Sequence, residues 1–168
     1  MSRAFVKESD ADDGDALPDR PQSEHPNYVT PAGYLKLQQQ MQALERRRES
    51  LAASAAEDIS ARAELREVER DLRYLNGSFD RAAVVDPKTQ PRTDIRFGAT
   101  VNLADSGGAV HEFTIVGEDE TCAPTGHISW VSPLARAMLG KRVGDSVTWD
   151  SPDGPHELEV IAFHYGEA

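Results

Sequence analysis

The sequence predicts an α+β protein, with an N-terminal antiparallel helical hairpin followed by a small antiparallel sheet domain that carries one helix. Apolar residues recur at intervals of three and four between residues 30 and 85, as on one face of a helix. Beyond residue 97 they recur at every second position, as in half-buried strands. A length of 168 residues suits two small units of this kind.

Residues 1–29 predict a disordered acidic tail. They hold seven acidic and three basic residues, and the stretch from 8 to 27 is rich in Asp, Glu, Pro and Ser. Ordering such a segment costs backbone entropy that no apolar burial offsets.

Residues 30–85 predict the hairpin, paired as a coiled coil. Thr30 is a good N-cap and Pro31 suits the first helical position. The short gap between the two apolar stripes favours an antiparallel pair, while the end of the second helix stays open between Asn76 and Ala83. The stripes consist of Tyr34, Leu37, Met41, Leu44 and Leu51, then Ala61, Leu65, Val68, Leu72 and Leu75.

The stretch "SAAED" at 54–58 lies where the hairpin reverses, and it has two interpretations. Ser54 and Glu57 have the spacing of a capping box, which makes Glu57 a structural residue at the start of the second helix. Alternatively, Glu57 and Asp58 are carboxylates presented at the tip. Adjacent residues on a helix diverge by about 100°, so these two converge on one ion only in a loop.

Residues 86–96 contain two prolines and mixed charge, and they predict a linker. Residues 97–168 predict the sheet domain, with turns at 105–108 and 152–155. Its helix has Ser132 as N-cap, Pro133 as first residue and Gly140 just past the end.

The composition argues against several classes of protein. A net charge of -11 argues against general coating of nucleic acid. The single Cys122 allows no intrachain disulfide, and the five histidines lack metal-ligand spacing. No stretch has the apolar length of a signal peptide or a membrane span, so we expect a cytoplasmic protein without a membrane partner.

Several segments, taken in order, resemble the bacterial Gre transcript cleavage factors, from about Tyr28 to Tyr165. Two segments resemble the arms of the Gre coiled coil, "YVTPAGYLKL" (28–37) and "LREVERDLRYL" (65–75). Four resemble the Gre C-terminal domain: "FGATVNL" (97–103), "FTIVGEDE" (113–120), "ISWVSPLARAMLGKRVGDSV" (128–147) and "LEVIAFHY" (158–165).

The resemblance implies a function in transcription elongation. It implies an FK506-binding-protein-like (FKBP-like) C-terminal domain that binds core RNA polymerase at the secondary channel, with the coiled coil inside the channel. In the family, acidic tip residues help to hold a second magnesium ion at the polymerase's own active site. The chain is then a monomeric accessory factor acting on paused or backtracked complexes, with no cofactor or active site of its own.

The resemblance also assigns candidate residues. Ser132, Pro133 and Arg136 match the polymerase-contacting segment, although Val131 stands where many relatives show Asp or Asn.

Four arginines of the second predicted helix are spaced by four, four and three residues and so lie on one side of it; this arginine stripe consists of Arg62, Arg66, Arg70 and Arg73. The stripe faces either nascent RNA, an acidic channel wall or solvent.

The tip departs from the Gre pattern. Cleavage factors carry Gly-Asp-x-x-Glu-Asn there, which this chain lacks, so Glu57 and Asp58 are the only tip candidates for the shared magnesium. The hairpin is also shorter by about six residues per arm, which at ~1.5 Å per residue withdraws the tip by about 10 Å. Carboxylate–magnesium bonds are ~2 Å long, so we expect transcript cleavage to be weak or absent.

Two other classes of function remain open at this stage. The FKBP-like fold raises an alternative as a prolyl isomerase or chaperone-type module, although fold alone is a poor warrant. A protein that dimerises through its hairpin is the third possibility, and Arg48 argues against it because it interrupts a longer seam.

Overall fold

The computed structural model describes residues 17–151 and 154–166, and over this part the protein is α+β, as predicted. Two strands and two long helices come first, and a five-stranded sheet with a short helix follows. No helix in the described part is both long and apolar enough to span a membrane. The elements are β1 (Asn27–Val29), α1 (Pro31–Ser54), α2 (Ile59–Asp80), β2 (Ala82–Val84), β3 (Ala99–Asp105), β4 (Val110–Val116), β5 (His127–Ser129), α3 (Pro133–Met138), β6 (Ser146–Ser151) and β7 (Gly154–Tyr165).

Helices α1 and α2, the helix pair, pack along each other through the predicted apolar stripe. Leu51, Ala61, Val68 and Leu72 are buried between them, with Leu44 and Leu65 half-buried at the edge. Near the sheet, the rings of Tyr34 and Phe79 stack with centroids 4.9 Å apart. Helix α2 includes Phe79, since it continues past Asn76-Gly77 to Asp80.

The N-terminal segment differs from the predicted tail. Residues 17–26, the strap, lie against α2, and β1 follows and pairs in parallel with β2. The side-chain amide of Gln22 donates to the carbonyl of Tyr74 at 2.8 Å, and that of Asn27 donates to the carbonyl of Ser78 at 2.7 Å. Polar contacts with α2 thus order a segment whose composition alone favours disorder. The rest of the predicted tail, residues 1–16, lies outside the described residues.

The main sheet has the strand order β5-β4-β3-β7-β6. All its pairings are antiparallel except β4 with β5, which corrects the prediction of an antiparallel sheet. The exception arises because the chain leaves β4 through two 3-10 turns, Glu118–Glu120 and Ala123–Thr125, and returns to the edge in the same direction. The predicted turn at 105–108 joins β3 to β4. Residues 152–153 of the second predicted turn lie outside the described residues.

One face of the sheet and the inner side of α3 form the larger core. Its fully buried members are Ile95, Ala99, Val101, Leu103, Ile115, Ala135, Met138 and Val160, with Val147 nearly so.

The predicted linker packs onto the sheet domain. The backbone N–H of Ile95 donates to the carbonyl of Lys141 at 2.8 Å, and Pro87 is buried. Gly98 has φ of 84°, and a Cβ there would lie 2.6 Å from Cγ of Pro87, so glycine is required for the close approach.

Candidate functional site

The start of α3 is formed as the sequence predicts. The Ser132 hydroxyl accepts a hydrogen bond from the backbone N–H of Ala135 at 3.2 Å, and Pro133 opens the helix. Leu134, Ala135 and Met138 point into the core, which leaves Pro133 and Arg136 exposed on the outer side. The structure therefore brings the predicted docking residues together at one helix start.

An aromatic cluster supports this helix start from the N-terminal side. The ring of Trp130 lies 5.0 Å from that of Tyr28 in β1 and 6.0 Å from that of His25 in the strap. Nη2 of Arg136 lies 3.4 Å from Nε2 of His25. The strap thus reaches the exposed side of α3, a contact that sequence analysis did not anticipate.

The capping box proposed for Ser54 and Glu57 is wrong. Helix α1 continues through Ser54, whose hydroxyl donates to the carbonyl of Leu51 at 3.2 Å. The N-cap of α2 is Asp58, whose Oδ1 accepts from the backbone N–H of Ser60 at 2.8 Å. Ser54 cannot cap α2 because the seam residue Leu51 keeps this turn of the chain inside α1.

The two carboxylates at the tip have different surroundings. One oxygen of Asp58 is engaged in the cap, and Glu57 is exposed beside it. Ile59, the next residue, is 81% exposed. Within the described residues, no group of three or more His, Cys, Asp or Glu side chains is placed to hold a metal ion. Any magnesium ion held by Glu57 and Asp58 would therefore need further ligands from a partner or from water.

The arginine stripe is divided among different partners. Near the tip, Nε of Arg62 donates to the carbonyl of Ala55 at 3.1 Å and Nη2 to that of Ala56 at 3.3 Å. These bonds satisfy carbonyls after the last turn of α1, so Arg62 fixes the turn between the helices. Farther along α2, Arg70 lies 3.0 Å from the carboxylate of Asp71, and Arg66 is half-buried.

Arg73 is bound by the strap. Its Nε donates to Oδ1 of Asp19 at 2.6 Å, and its Nη2 donates to the carbonyl of Leu17 at 3.2 Å. At this position the stripe therefore faces the chain's own N-terminal segment.

Glu120 joins the sheet domain to α1. Its Oε2 accepts from the backbone N–H of Thr30 at 3.0 Å and from that of Gly117 at 3.1 Å. Its Oε1 accepts from the Thr30 hydroxyl, which itself accepts from the backbone N–H of Gly33 at 3.0 Å. A carboxylate at this helix N-terminus is favoured by the helix dipole.

Tyr74 makes a second tie to the same 3-10 turn. Its hydroxyl donates to Oδ1 of Asp119 at 3.0 Å. Burial, and then the charge and hydrogen bond of Asp119, raise the pKa of the Tyr74 hydroxyl above its usual value. Both helices are thereby linked to the turn at Glu118–Glu120.

A cleft of about 350 Å³ lies between the start of α1 and the sheet. Its lining combines small apolar residues with polar side chains, among them Lys36, Thr100, Thr114, Glu120 and His127, and contains no Phe, Tyr or Trp. Aromatic side chains usually line small-molecule and peptide pockets, so this cleft gives little support to a prolyl isomerase.

The sheet domain matches the family model described as transcription elongation factor, GreA/GreB, C-term, over residues 90–165. The transcription elongation factor GreB of Neisseria meningitidis is 32% identical over 157 residues, covering 85% of this chain and 96% of that protein. The chain belongs to the GreA/GreB family of transcription elongation factors.

Other relatives of this Gre-family chain cover most of it as well. GreB of Xanthomonas axonopodis pv. citri is 40% identical over 151 residues, covering 82% of this chain and 90% of that protein. Among solved structures, GreA factor homolog 1 (Gfh1) of Thermus thermophilus is 27% identical, covers 83% of this chain and 99% of its own, and gives a TM-score of 0.40.

Family membership confirms the Gre resemblance and the assignment to transcription elongation. No local pattern in the sequence predicts the contacts between the helix pair and the sheet domain of this Gre-family chain. Thr30 caps α1 as predicted, and its additional partner Glu120 lies 90 residues away in the sequence. The "GEDE" string at 117–120 was noted only for its family likeness, and no local pattern linked it to α1.

Proposed function

We propose that this Gre-family factor binds core RNA polymerase at the secondary channel and modulates paused or backtracked elongation complexes. It acts in the cytoplasm as a monomer and as an accessory factor, with no active site of its own. The observation that carries the proposal is the start of α3, where a side-chain cap and a buried inner face hold Pro133 and Arg136 toward solvent. This helix lies inside the segment that matches the GreA/GreB model.

The helix pair is proposed to enter the channel as an antiparallel coiled coil, carried by an FKBP-like sheet domain. Stacking of Tyr34 on Phe79 at one end and pairing of Arg47 with Glu64 toward the other support the antiparallel arrangement. Helices of 24 and 22 residues extend by about 35 Å at ~1.5 Å per residue. Hydrogen bonds to Glu120 and Asp119 tie the helix pair to the sheet domain, which is proposed to dock on the polymerase.

The helix pair is proposed to be shorter than the coiled coil of a cleavage factor. The alignment with N. meningitidis GreB runs over 157 positions, whereas 85% of 168 residues is only about 143. About 14 aligned positions therefore lack a counterpart in this chain. This number agrees with the loss of about a dozen residues expected from the sequence; where those residues are missing from the helix pair, the tip is withdrawn by about 10 Å.

The tip is proposed to supply little to metal-assisted transcript cleavage. A cleavage factor contributes carboxylates that help to hold the second magnesium ion, whereas here Asp58 caps α2 and leaves Glu57 without a converging partner. The factor would then occupy the channel and alter elongation without strongly accelerating RNA hydrolysis.

The arginine stripe is proposed to face nascent RNA. Arg66, Arg70 and Arg73 follow one another on α2, and phosphate oxygens are good partners for guanidinium groups. Arg62 holds the turn of the helix pair, so its part in RNA contact is secondary.

Binding to purified core polymerase tests the docking surface. We expect the double variant Pro133→Ala, Arg136→Ala to lower affinity at least tenfold, the effect of losing about 1.4 kcal/mol of contact. The matched control is Arg92→Ala, which removes one exposed arginine outside α3. Unchanged affinity of the double variant, with native circular dichroism, would remove α3 as the interface.

A further inference from the structure

The strap holds a second arginine, Arg81, which directly follows α2. Nη1 of Arg81 donates to the carbonyl of Ser23 at 2.8 Å, and Nη2 donates to Oε1 of Gln22 at 2.6 Å. The strap therefore presents carboxylate, carbonyl and amide oxygens to one guanidinium group on α2 and one at its end. Phosphate oxygens form the same kind of charge-assisted bond with arginine.

The strap is buried at one end and exposed at the other. Just after its C-terminal end, Asn27 of β1 is 7% exposed and bonds to the carbonyl of Ser78. Toward the N-terminus, the side chains of Asp19 and Arg73 are 71% and 45% exposed. Arg20 lies there 3.5 Å from Asp71 and 4.2 Å over the ring of Tyr74, in contacts that are also partly exposed. Exposed ion pairs are weak and screened by salt, so the part around Asp19 can leave α2 while Asn27 keeps its place.

Arg66, Arg70, Arg73 and Arg81 form an extended row of guanidinium groups and do not surround a single pocket. From Arg66 to Arg81 they span 15 residues of sequence along α2 and its end, which is about 22 Å at ~1.5 Å per residue. Such a row suits a single strand with repeated phosphates better than a small anion. In a chain of net charge -11, attraction to that strand depends on these few local charges.

We propose that the strap is an intramolecular competitor of single-stranded RNA: its oxygens occupy Arg73 and Arg81 until RNA phosphates displace them. The proposal rests on the RNA-facing role proposed above for the arginine stripe. It adds that contact with RNA releases the strap, which also touches Arg136 of the docking helix through His25.

Binding of a single-stranded RNA of about 20 nucleotides to the full chain at low salt tests the competition. Asp19→Asn weakens the hold on Arg73, and we expect it to raise RNA affinity about two- to fivefold, the range expected for an exposed pair. Adding Arg73→Ala to Asp19→Asn should abolish the gain. The matched control is Glu24→Gln, which removes the same charge from an exposed strap residue that pairs with no arginine in the described structure, and its affinity should equal that of the parent.

The outcomes separate the strap from the RNA-facing role. If Arg70→Ala and Arg73→Ala weaken RNA binding but Asp19→Asn behaves like Glu24→Gln, the competition is disproved and the RNA-facing role stands. If neither arginine variant changes RNA binding, both fail.

Hydrogen exchange gives a second readout. Amides of residues 17–23 should exchange faster when RNA is bound, and unchanged exchange would overturn the proposal. Faster exchange with polyglutamate but not with RNA would overturn it in favour of an acidic protein partner.

Discussion

Oε2 of Glu120 accepts a hydrogen bond from the backbone N–H of Thr30 at 3.0 Å, which ties the sheet domain to the first residues of α1 across 90 positions of sequence. Thr30 is 5% exposed, so its N–H has no ready replacement in water. Together with the hydrogen bond from Tyr74 to Asp119, this carboxylate joins the helix pair to the sheet domain.

Loss of that carboxylate should destabilise the protein. We expect Glu120→Ala to lower the free energy of unfolding by about 1–3 kcal/mol, because it leaves the buried N–H of Thr30 without an acceptor. Urea denaturation followed by circular dichroism measures the change. Glu118→Ala, in the same 3-10 turn, is the control and should change stability by less than about 0.5 kcal/mol. Equal losses in the two variants would contradict the role given to Glu120.

Gly33 should resist replacement by alanine although it lies within a helix. Alanine ordinarily stabilises a helix interior by about 1 kcal/mol relative to glycine. Here a Cβ at Gly33 would overlap the carboxylate of Glu120, so we expect Gly33→Ala to be destabilising. In a double-mutant cycle with Glu120→Ala, the penalty should shrink because the overlapping group is gone. Additive effects would show that the overlap is relieved in another way.

The tip residues should differ in their effect on stability. Asp58→Ala removes the N-cap of α2 and should lower the free energy of unfolding by about 1 kcal/mol. Glu57→Ala removes an exposed side chain and should have almost no effect. Thermal and urea unfolding of the two variants decide between this assignment and the capping box, which requires Glu57→Ala to be the more damaging.

Stability at high pH should depend on Tyr74. Because the pKa of its hydroxyl is raised in the folded state, first by burial and then by Asp119, the unfolded chain loses this proton at a lower pH than the folded chain. Its contribution is therefore complete below the ordinary tyrosine pKa of about 10 and is lost as pH rises above it. Tyr74→Phe should flatten the fall in unfolding free energy above pH ~10. An identical fall in the parent and the variant would refute the contribution of this group.

Structural features whose sequence signal lies within a few neighbouring residues are the ones that the sequence predicts. The starts of α1 and α3 were predicted because Thr30-Pro31 and Ser132-Pro133 act within one helical turn. The cap of α2 was assigned to the wrong residue because Ser54 and Asp58 are both good caps. Only packing of the helix pair, with Leu51 on its seam, decides between them.

Non-local contacts explain the remaining differences. The strap has the composition of a disordered segment, and it is ordered through partners on α2 that are more than 50 residues away, such as Tyr74 and Arg73. The parallel pairing of β5 depends on the path of two 3-10 turns, which leaves no periodic pattern in the sequence. The candidate docking residues are predicted through a segment likeness, whereas Glu120 is not predicted because its contacts exist only in the folded chain.

The proposed short reach of the helix pair, and the proposed inability of its tip to support cleavage, are tested most directly by a transcript cleavage assay. Purified factor and core polymerase from the same cell are incubated with a backtracked elongation complex, and the length of the RNA is followed. The account predicts that the factor binds the complex and leaves the rate of RNA shortening near that of polymerase alone. Rapid shortening that Glu57→Ala and Asp58→Ala together abolish would contradict it.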